Sequence, residues 1–437
     1  YDASGTGGSQ GGGGAHHGPV ILDQAPIVEG FALIDSLDHL EDKGDDEALH
    51  TLIPHGDDAV KQKEHLALFE LVRYDQVTHT ALQDGDWSNP ATWASGIVPT
   101  ADARVLIPLG VEVTVDGVIP TEFFSIRIDG TLSFATNVDT ELRADTIIGS
   151  GTSTLNMGTS ADPVDSGVTE KMVFTDNGPI DSVYDPFGIS RGFITHGSVE
   201  VQGASVTPYH ELVGPALSNQ SAIQLTSVPL DWNVGDEIII AGTESNSIQD
   251  ETRTITAISG TMVFFSSPLI YDHVAPSPEL NVHVVNLTRN VVFESEGTAV
   301  DRRGHTMFMH NRDVHVANAA FNQLGRTDKS IWIDDSVVDQ NWQLAPGTGT
   351  NQRARYSVHF HRNGTLADGN PSTVVGSVVN DSPGWGFVNH SSYVDFDGNV
   401  SANVQGSGFA TEVGDETGTF RNNFALSNTG SGENDNE

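Results

Sequence analysis

The sequence predicts an all-β fold in which a β-rich module leads into a parallel β-helix, with a small β unit inserted and a short, partly helical segment in front. Three observations carry this. From residue 81 the chain breaks into short alternating runs such as "ARVLIPLGVEVTVDG" and "FFSIRIDGTLSFA", each closed by Gly, Asp or Pro, the pattern of consecutive short strands. Toward the C-terminus "GSVVNDSPGWGF", "GNVSANVQGSGF" and "NNFALSNTGSGE" repeat every 22 to 24 residues or so, about one coil of a parallel β-helix. In such a fold a single rung cannot bury its apolar side, and stacking completes the core. The 46 glycines and 37% hydrophobic content also suit a turn-rich β protein better than a helical one.

Taken in order, residues 1–18, "YDASGTGGSQGGGGAHHG", read as a disordered glycine-rich lead, with His16 and His17 belonging to linker chemistry. Residues 19–80 hold one helix in "DDAVKQKEHLALFELVRY", where Asp57 or Asp58 can cap and Leu66, Phe69 and Val72 recur at helical spacing. Residues 81–205 are the first strand-rich region. Residues 206–285, with "TSVPLDWNVGDEIIIAG" and "TRTITAISGTMVFFSSPL", form the smaller β unit. Residues 286–437 form the β-helix, with Val378, Val400 and Phe424 expected in one interior column and Asn380, Asn403 and Asn428 as a candidate ladder. The ending "GSGENDNE" lacks an apolar cap, which suggests further C-terminal domains or a partner chain closing the stack.

Charge and composition exclude several function classes. A net charge of -39 repels nucleic acid and anionic membranes, so neither is expected as a partner. With no cysteine there is no disulfide framework, thiolate metal site or cysteine nucleophile, and any metal must be held by oxygen or imidazole. No apolar run reaches the roughly 18 residues of a membrane span, and the start lacks the apolar region of a signal peptide, so an export signal would lie outside this sequence.

The stretch "RYSVHFHR" is where chemistry concentrates. Strand alternation predicts Tyr356, Val358 and Phe360 inside, with Arg355, Ser357, His359 and His361 on an outer groove. His305, Arg303 and Arg312 come from "RRGHTMFMHNRDVHV", Arg326 and Lys329 follow, and "GFATEVGDETG" supplies Glu412, Asp415 and Glu416. Between Val285 and Arg362 about nine Lys/Arg face about eight Asp/Glu, a near-neutral strip that a polyanion could approach.

An Arg/His groove fits β-elimination of a uronate polysaccharide: a cation neutralises the carboxylate, a base takes the adjacent proton and an acid serves the leaving oxygen. Glycoside hydrolysis would need a carboxylate pair, which the sequence does not single out. His359 and His361, joined by His305 or Glu412, could instead hold Zn²⁺ or another divalent ion. Ca²⁺ suits acidic turns such as "DFDGN". Trp87, Trp93 and Trp232 are candidates for stacking on sugars, against the commoner use in packing, and "NLTR" is a formal glycosylation sequon.

Residues 84 to about 205 resemble the G8 domain family, on "DGDWSNPATWASGIVPTADARVLIPLGVEVTVDG", "IRIDGTLSF", "LRADTIIGSGTSTLNMGT" and "GFITHGSVEVQG". The resemblance continues through "WNVGDEIIIAGT", "LTRNVVF", "RGHTMFMHN" and "RYSVHFHR". It implies a G8 module leading into a right-handed parallel β-helix and kinship with secreted bacterial proteins, the cell-surface hyaluronidase, the cell migration-inducing hyaluronan-binding protein and fibrocystin. In some members it implies depolymerisation of hyaluronan with calcium implicated. The family pattern R-Y-P-x-H-F-H maps onto Arg355 to His361, with Ser357 in place of the proline, and its G-H onto Gly304 and His305. "GSGFATEVGDE" carries Ser407 where hyaluronan-active members have a histidine.

The expectation is therefore a secreted or cell-surface protein that binds and depolymerises an acidic, hyaluronan-like polysaccharide. His359, His361, Arg355, His305 and Arg362 are the expected catalytic residues; Arg303, Arg312, Arg326 and Lys329 would bind substrate; Glu412, Asp415 and Glu416 would hold metal, with Ca²⁺ as the ion. The alternative is a noncatalytic carbohydrate-binding or adhesive module of a larger protein.

Overall fold

The computed structural model describes residues 59–244 and 247–430, so the glycine-rich lead, His16, His17, the two capping aspartates and the last seven residues of the ending lie outside it. Outside residues 203–290 the short runs pair with runs one coil away rather than with their sequence neighbours, and every such ladder is parallel. Three stacks result. The first runs from His79–Thr80 and Arg104–Ile107 through Gly192–Thr195, His305–Met309 and Val358–Gly364 to Phe387–Asp397 and Phe409–Thr411. The second includes Glu112–Val115, Ser198–Gln202, Val314–Ala317, Ser372–Val375 and Thr417–Arg421. The third includes Glu170–Phe174, Val291–Ser295, Ala319–Asn322, Val378–Ser382, Val400–Val404 and Phe424–Leu426.

This is a three-faced parallel β-helix. It runs unbroken across residue 205, because Gly192–Thr195 and Ser198–Gln202 pair directly with His305–Met309 and Val314–Ala317. The β-rich module and the β-helix are therefore one stack.

Alternation places one side of each strand on the common axis. Phe308, Phe360 and Phe396 meet there, as do the parallel rings of Phe293 and Phe321 at 4.9 Å and of Phe387 and Phe409 at 5.1 Å. Burying a side chain of this size stabilises by roughly 1.5–3 kcal/mol, so the aromatic column is a principal source of cohesion. Between Gln202 and Val291 the chain leaves the stack to build an antiparallel six-stranded sheet: Tyr209–Glu211, His283–Asn286, Glu237–Ile240, Glu251–Ser259, Met262–Phe265 and Ala222–Gln224, in spatial order.

That sheet corrects one expectation. Val378, Val400 and Phe424 do stack in register, but on the outer side, where Ile239, Val285 and Leu287 of the inserted sheet cover them. The inward neighbour is Val379. A pattern of period two identifies a buried column without saying which side buries it. The asparagine ladder is also displaced: Asn403 does reach Asn380 at 2.8 Å, but the rung-to-rung network centres on Asn399, whose amide and backbone N–H both donate to Asn423 Oδ1.

The helix Ala59–Glu70 covers the outside of the first stack. Leu68, Phe69, Leu71 and Val72 pack with Ile148, Ile194, Met307 and Met309, while Leu66 is half-buried. Trp87, Trp93 and Trp232 are all buried: Trp93 donates its indole N–H to Trp87 O and Trp232 to Thr207 O, so they pack rather than present a platform. Asn286 of the sequon is fully buried and donates to Asp236, which closes it to glycosylation in the folded chain.

Candidate functional site

Two outward positions of one strand and the ladder register assemble the site. In Val358–Gly364 the inward residues are Val358 and Phe360, leaving His359 and His361 on the outer side. Register sets His390 beside His361 on the next rung, and one rung further Glu412 donates its backbone N–H to Asn389 O. Rungs stack about 4.8 Å apart, so four side chains from three coils converge. Ring centroids lie 4.5 Å apart for His361 and His390 and 5.2 Å for His359 and His361. Glu412 Oε2 accepts from His390 Nδ1 at 2.8 Å and lies 3.5 Å from His359 Nε2. A coordinating nitrogen from each of the three imidazoles lies within 4.8 Å of the others.

Burial pushes the Glu412 carboxyl up, but hydrogen bonds and charge from His359 and His390 outweigh it and hold the group well below the ordinary carboxylate range. Glu412 is therefore an ionised, nearly buried acceptor. Such a set can transfer protons or hold a divalent cation through nitrogen and oxygen.

His361, His390 and Glu412 of the cluster line a cavity of about 250 Å³. Glu64 and Leu68 of the helix roof it, Ile194, Met307 and Met309 give it an apolar wall, and Arg353, Arg355 and Arg362 line the remainder. Thus the imidazoles do lie outside the coil but not on an open groove: His361 and His390 line the cavity, His361 is nearly buried, and His359, in contact with both, is fully buried. Tyr356 departs from the expected alternation. The chain is not yet a strand at Ala354–Ser357, Ala354 has a φ of +67°, and Tyr356 stacks outside on Trp385 at 5.1 Å.

Most of the expected cations are committed elsewhere. Arg355 is 3% exposed and donates to Gly188 O, Phe187 O, Arg353 O and, at 2.7 Å, Glu64 Oε1, so it clamps the helix to the stack. Half-buried Arg326 donates to the carbonyls of Gly188, Ser190, Arg191 and Arg303; desolvation, with Arg355 and Arg191 nearby, pushes it down to about 9. Arg303 forms a fork on Asp381, and Arg312 binds Asn363 O and Asp368. The Lys329 ammonium lies buried 3.8 Å over the Trp385 ring.

The three arginines hold backbone carbonyls or carboxylates, Lys329 sits on Trp385, and none of the four lines the cavity, so the structure does not bring Arg303, Arg312, Arg326 and Lys329 to the imidazoles. The near-neutral strip is likewise not a cationic surface, since much of its positive charge is internal. His305 is buried, bonded through Nδ1 to Arg191 O, and kept neutral by burial and the nearby Arg326 and Arg355 guanidiniums; it does not line the cavity. Glu416 accepts the N–H groups of Glu412, Val413 and Gly414 and shapes that turn, and Asp415 accepts from Ser391. Neither joins the imidazoles. Of the expected residues, His359, His361, Arg362, Arg355 and Glu412 come together, and His390 is the member that sequence reasoning missed. Laying "SVHFHR" over "GFVNHSS" would have paired His361 with His390, one coil on.

Comparison with known proteins agrees with the first half of the stack. Residues 92–213 match the G8 domain. A G8 domain-containing protein of Dictyostelium discoideum is 27% identical over 295 residues, 64% of this chain and 19% of its own length. Communication mutant protein F of the same organism is 23% identical over 316 residues, 69% of this chain and 25% of that protein. Human fibrocystin-L is 26% identical over 219 residues, 47% of this chain and 5% of its length. The chain thus spans about a quarter or less of these relatives. Among solved structures, the tailspike protein gp49 of Pseudomonas phage LKA1 shows 12% identity over 73% of this chain and 43% of its own, with a TM-score of 0.19. The chain carries a G8 domain, and that domain is the opening of its parallel β-helix.

Proposed function

We propose that this chain is the working part of an extracellular protein that binds a uronate-containing polysaccharide and shortens it by β-elimination. One observation carries the reading: a cavity on the flank of the β-helix is lined by imidazoles, an ionised carboxylate and the Arg353 and Arg362 side chains. Elimination needs a positive group against the uronate carboxylate, removal of the adjacent ring proton, and protonation of the departing glycosidic oxygen as the ring double bond forms. Arginine and histidine are suited to these tasks, and the cavity supplies both. Two-carboxylate hydrolysis is less suited, because Glu64 is bound to Arg355 and Glu412 is held ionised and so cannot serve as the acid.

The cavity admits about one sugar ring, so a chain end is the expected guest. The test incubates the purified chain with hyaluronan, alginate and polygalacturonate and follows absorbance of unsaturated ends together with reducing ends. Unsaturated ends from at least one polymer, lost in His361→Ala, are expected. Reducing ends without unsaturation would replace elimination by hydrolysis, and binding without either product would make the chain a carbohydrate-binding module.

A further inference from the structure

The His359, His361 and His390 rings come from two rungs and point toward one another, an arrangement that brings like groups together without an evident packing need. Hydrogen bonding decides which nitrogens face the centre. His359 Nδ1 lies 3.1 Å from Ala354 O, and a carbonyl only accepts, so Nδ1 carries a proton and in the neutral ring Nε2 keeps the lone pair that a cation needs. His390 Nδ1 is likewise fixed as a donor by Glu412, leaving Nε2. His390 Nε2 is buried without a hydrogen-bond partner, and His359 Nε2, likewise without a well-formed hydrogen bond, faces Glu412 Oε2 at 3.5 Å. A ring held through one nitrogen by a carbonyl or a carboxylate, with the other aimed inward, is the arrangement by which proteins orient metal-binding histidines.

We propose that His359, His361 and His390 form a binding site for a borderline divalent transition cation, Zn²⁺ or a cation that replaces it, with Glu412 as orienting carboxylate or fourth ligand. Bonds of about 2.0–2.1 Å in a tetrahedral site set ligand atoms roughly 3.4 Å apart. His359 Nε2 and Glu412 Oε2 are already at 3.5 Å, and the imidazole nitrogens, all within 4.8 Å, close to that spacing by small side-chain rotations. Three nitrogens exclude Ca²⁺, which takes six to eight oxygens. The site concerns the same cavity as the elimination reading but does not depend on it; if both hold, the cation adds positive charge at the imidazoles, beside the Arg353 and Arg362 side chains in the cavity wall.

The test uses the full chain, stripped of metal and titrated with Zn²⁺ in competition with a fluorescent chelator near pH 7.5, beside a His16→Ala/His17→Ala variant that removes the linker histidines. One equivalent bound in both proteins, and affinity at least a hundredfold weaker in His361→Ala and His390→Ala, is expected. X-ray absorption of the Zn²⁺-loaded wild type needs no site variant, and a nitrogen/oxygen shell near about 2.0 Å with multiple imidazole scattering is expected. An oxygen-only shell, or an equivalent that vanishes with His16 and His17, overturns the proposal. Zinc bound without polysaccharide cleavage sinks the elimination reading alone, whereas cleavage by a chain that binds no zinc sinks the metal site alone.

Discussion

Arg355 and His361 lie on the same short stretch, yet removing them should have different consequences. The Arg355 guanidinium is enclosed by carbonyls and Glu64, so Arg355→Ala leaves those acceptors and a carboxylate buried without their donor. A loss of about 3–5 kcal/mol in urea unfolding is expected, whatever the activity. His361→Ala should abolish the site's chemistry at a smaller cost in stability, and an equal loss for both would argue that His361 is structural.

Glu412 adds a pH signature. Its folded carboxyl is held below its ordinary value of 4.5, so its contribution is complete above that value and is lost as pH falls toward the folded one. The stability gap between wild type and Glu412→Gln should therefore be largest near neutrality and shrink below about pH 4.5. A gap that does not change with pH would mean that the imidazoles do not hold the carboxylate ionised.

At the scale of one element, the strand Glu170–Phe174 carries the opposite case. Glu170 shares its side of the strand with Met172 and Phe174, inside the coil, and neither carboxyl oxygen has a hydrogen-bond partner. Burial, with a smaller contribution from Asp162, pushes it up to about 8. A folded value raised above 4.5 favours the protonated form, so the favourable difference is complete below 4.5 and is lost as pH rises through about 8. Glu170→Gln, neutral and of the same shape, should match wild type at about pH 5 and exceed it by a few kcal/mol at about pH 9. Equal melting curves at both pH values would remove the argument.

The strands themselves were legible in the sequence. Alternation read Val358 and Phe360 inward because the backbone there is extended, and it failed at Tyr356 because a positive φ at Ala354 interrupts the period just before the strand. His359 and His361 were legible as outward residues. That they are roofed was not, since the roof comes from a helix nearly three hundred residues earlier, joined through the Glu64 to Arg355 pair. Local period carries no information about such a contact.

Across the whole molecule, a chain with 59 acidic against 20 basic residues repels itself, and because buried acidic and basic side chains nearly balance among the described residues, the excess of negative charge there is carried by the surface. Compaction brings carboxylates of successive rungs within a Debye length of one another, and salt shortens that length from about 30 Å at 0.01 M to about 3 Å at 1 M. Folding should therefore be stabilised by added salt of any kind: raising NaCl from about 0.02 M to about 0.5 M is expected to raise Tm, by less per kcal/mol than the roughly 2–4 °C of a 150–250-residue domain because the unfolding entropy grows with size. Ca²⁺ discriminates screening from binding. At matched ionic strength millimolar CaCl₂ and NaCl should give the same Tm if the carboxylates act only as a diffuse field, because Asp395 and Asp397 already accept from Thr419 and Asn422 on the next rung. A rise with Ca²⁺ that saturates and exceeds the NaCl effect would place a bound calcium ion on the folded chain, and a fall in Tm with NaCl would show that ion pairs such as Arg303 with Asp381 outweigh the repulsion.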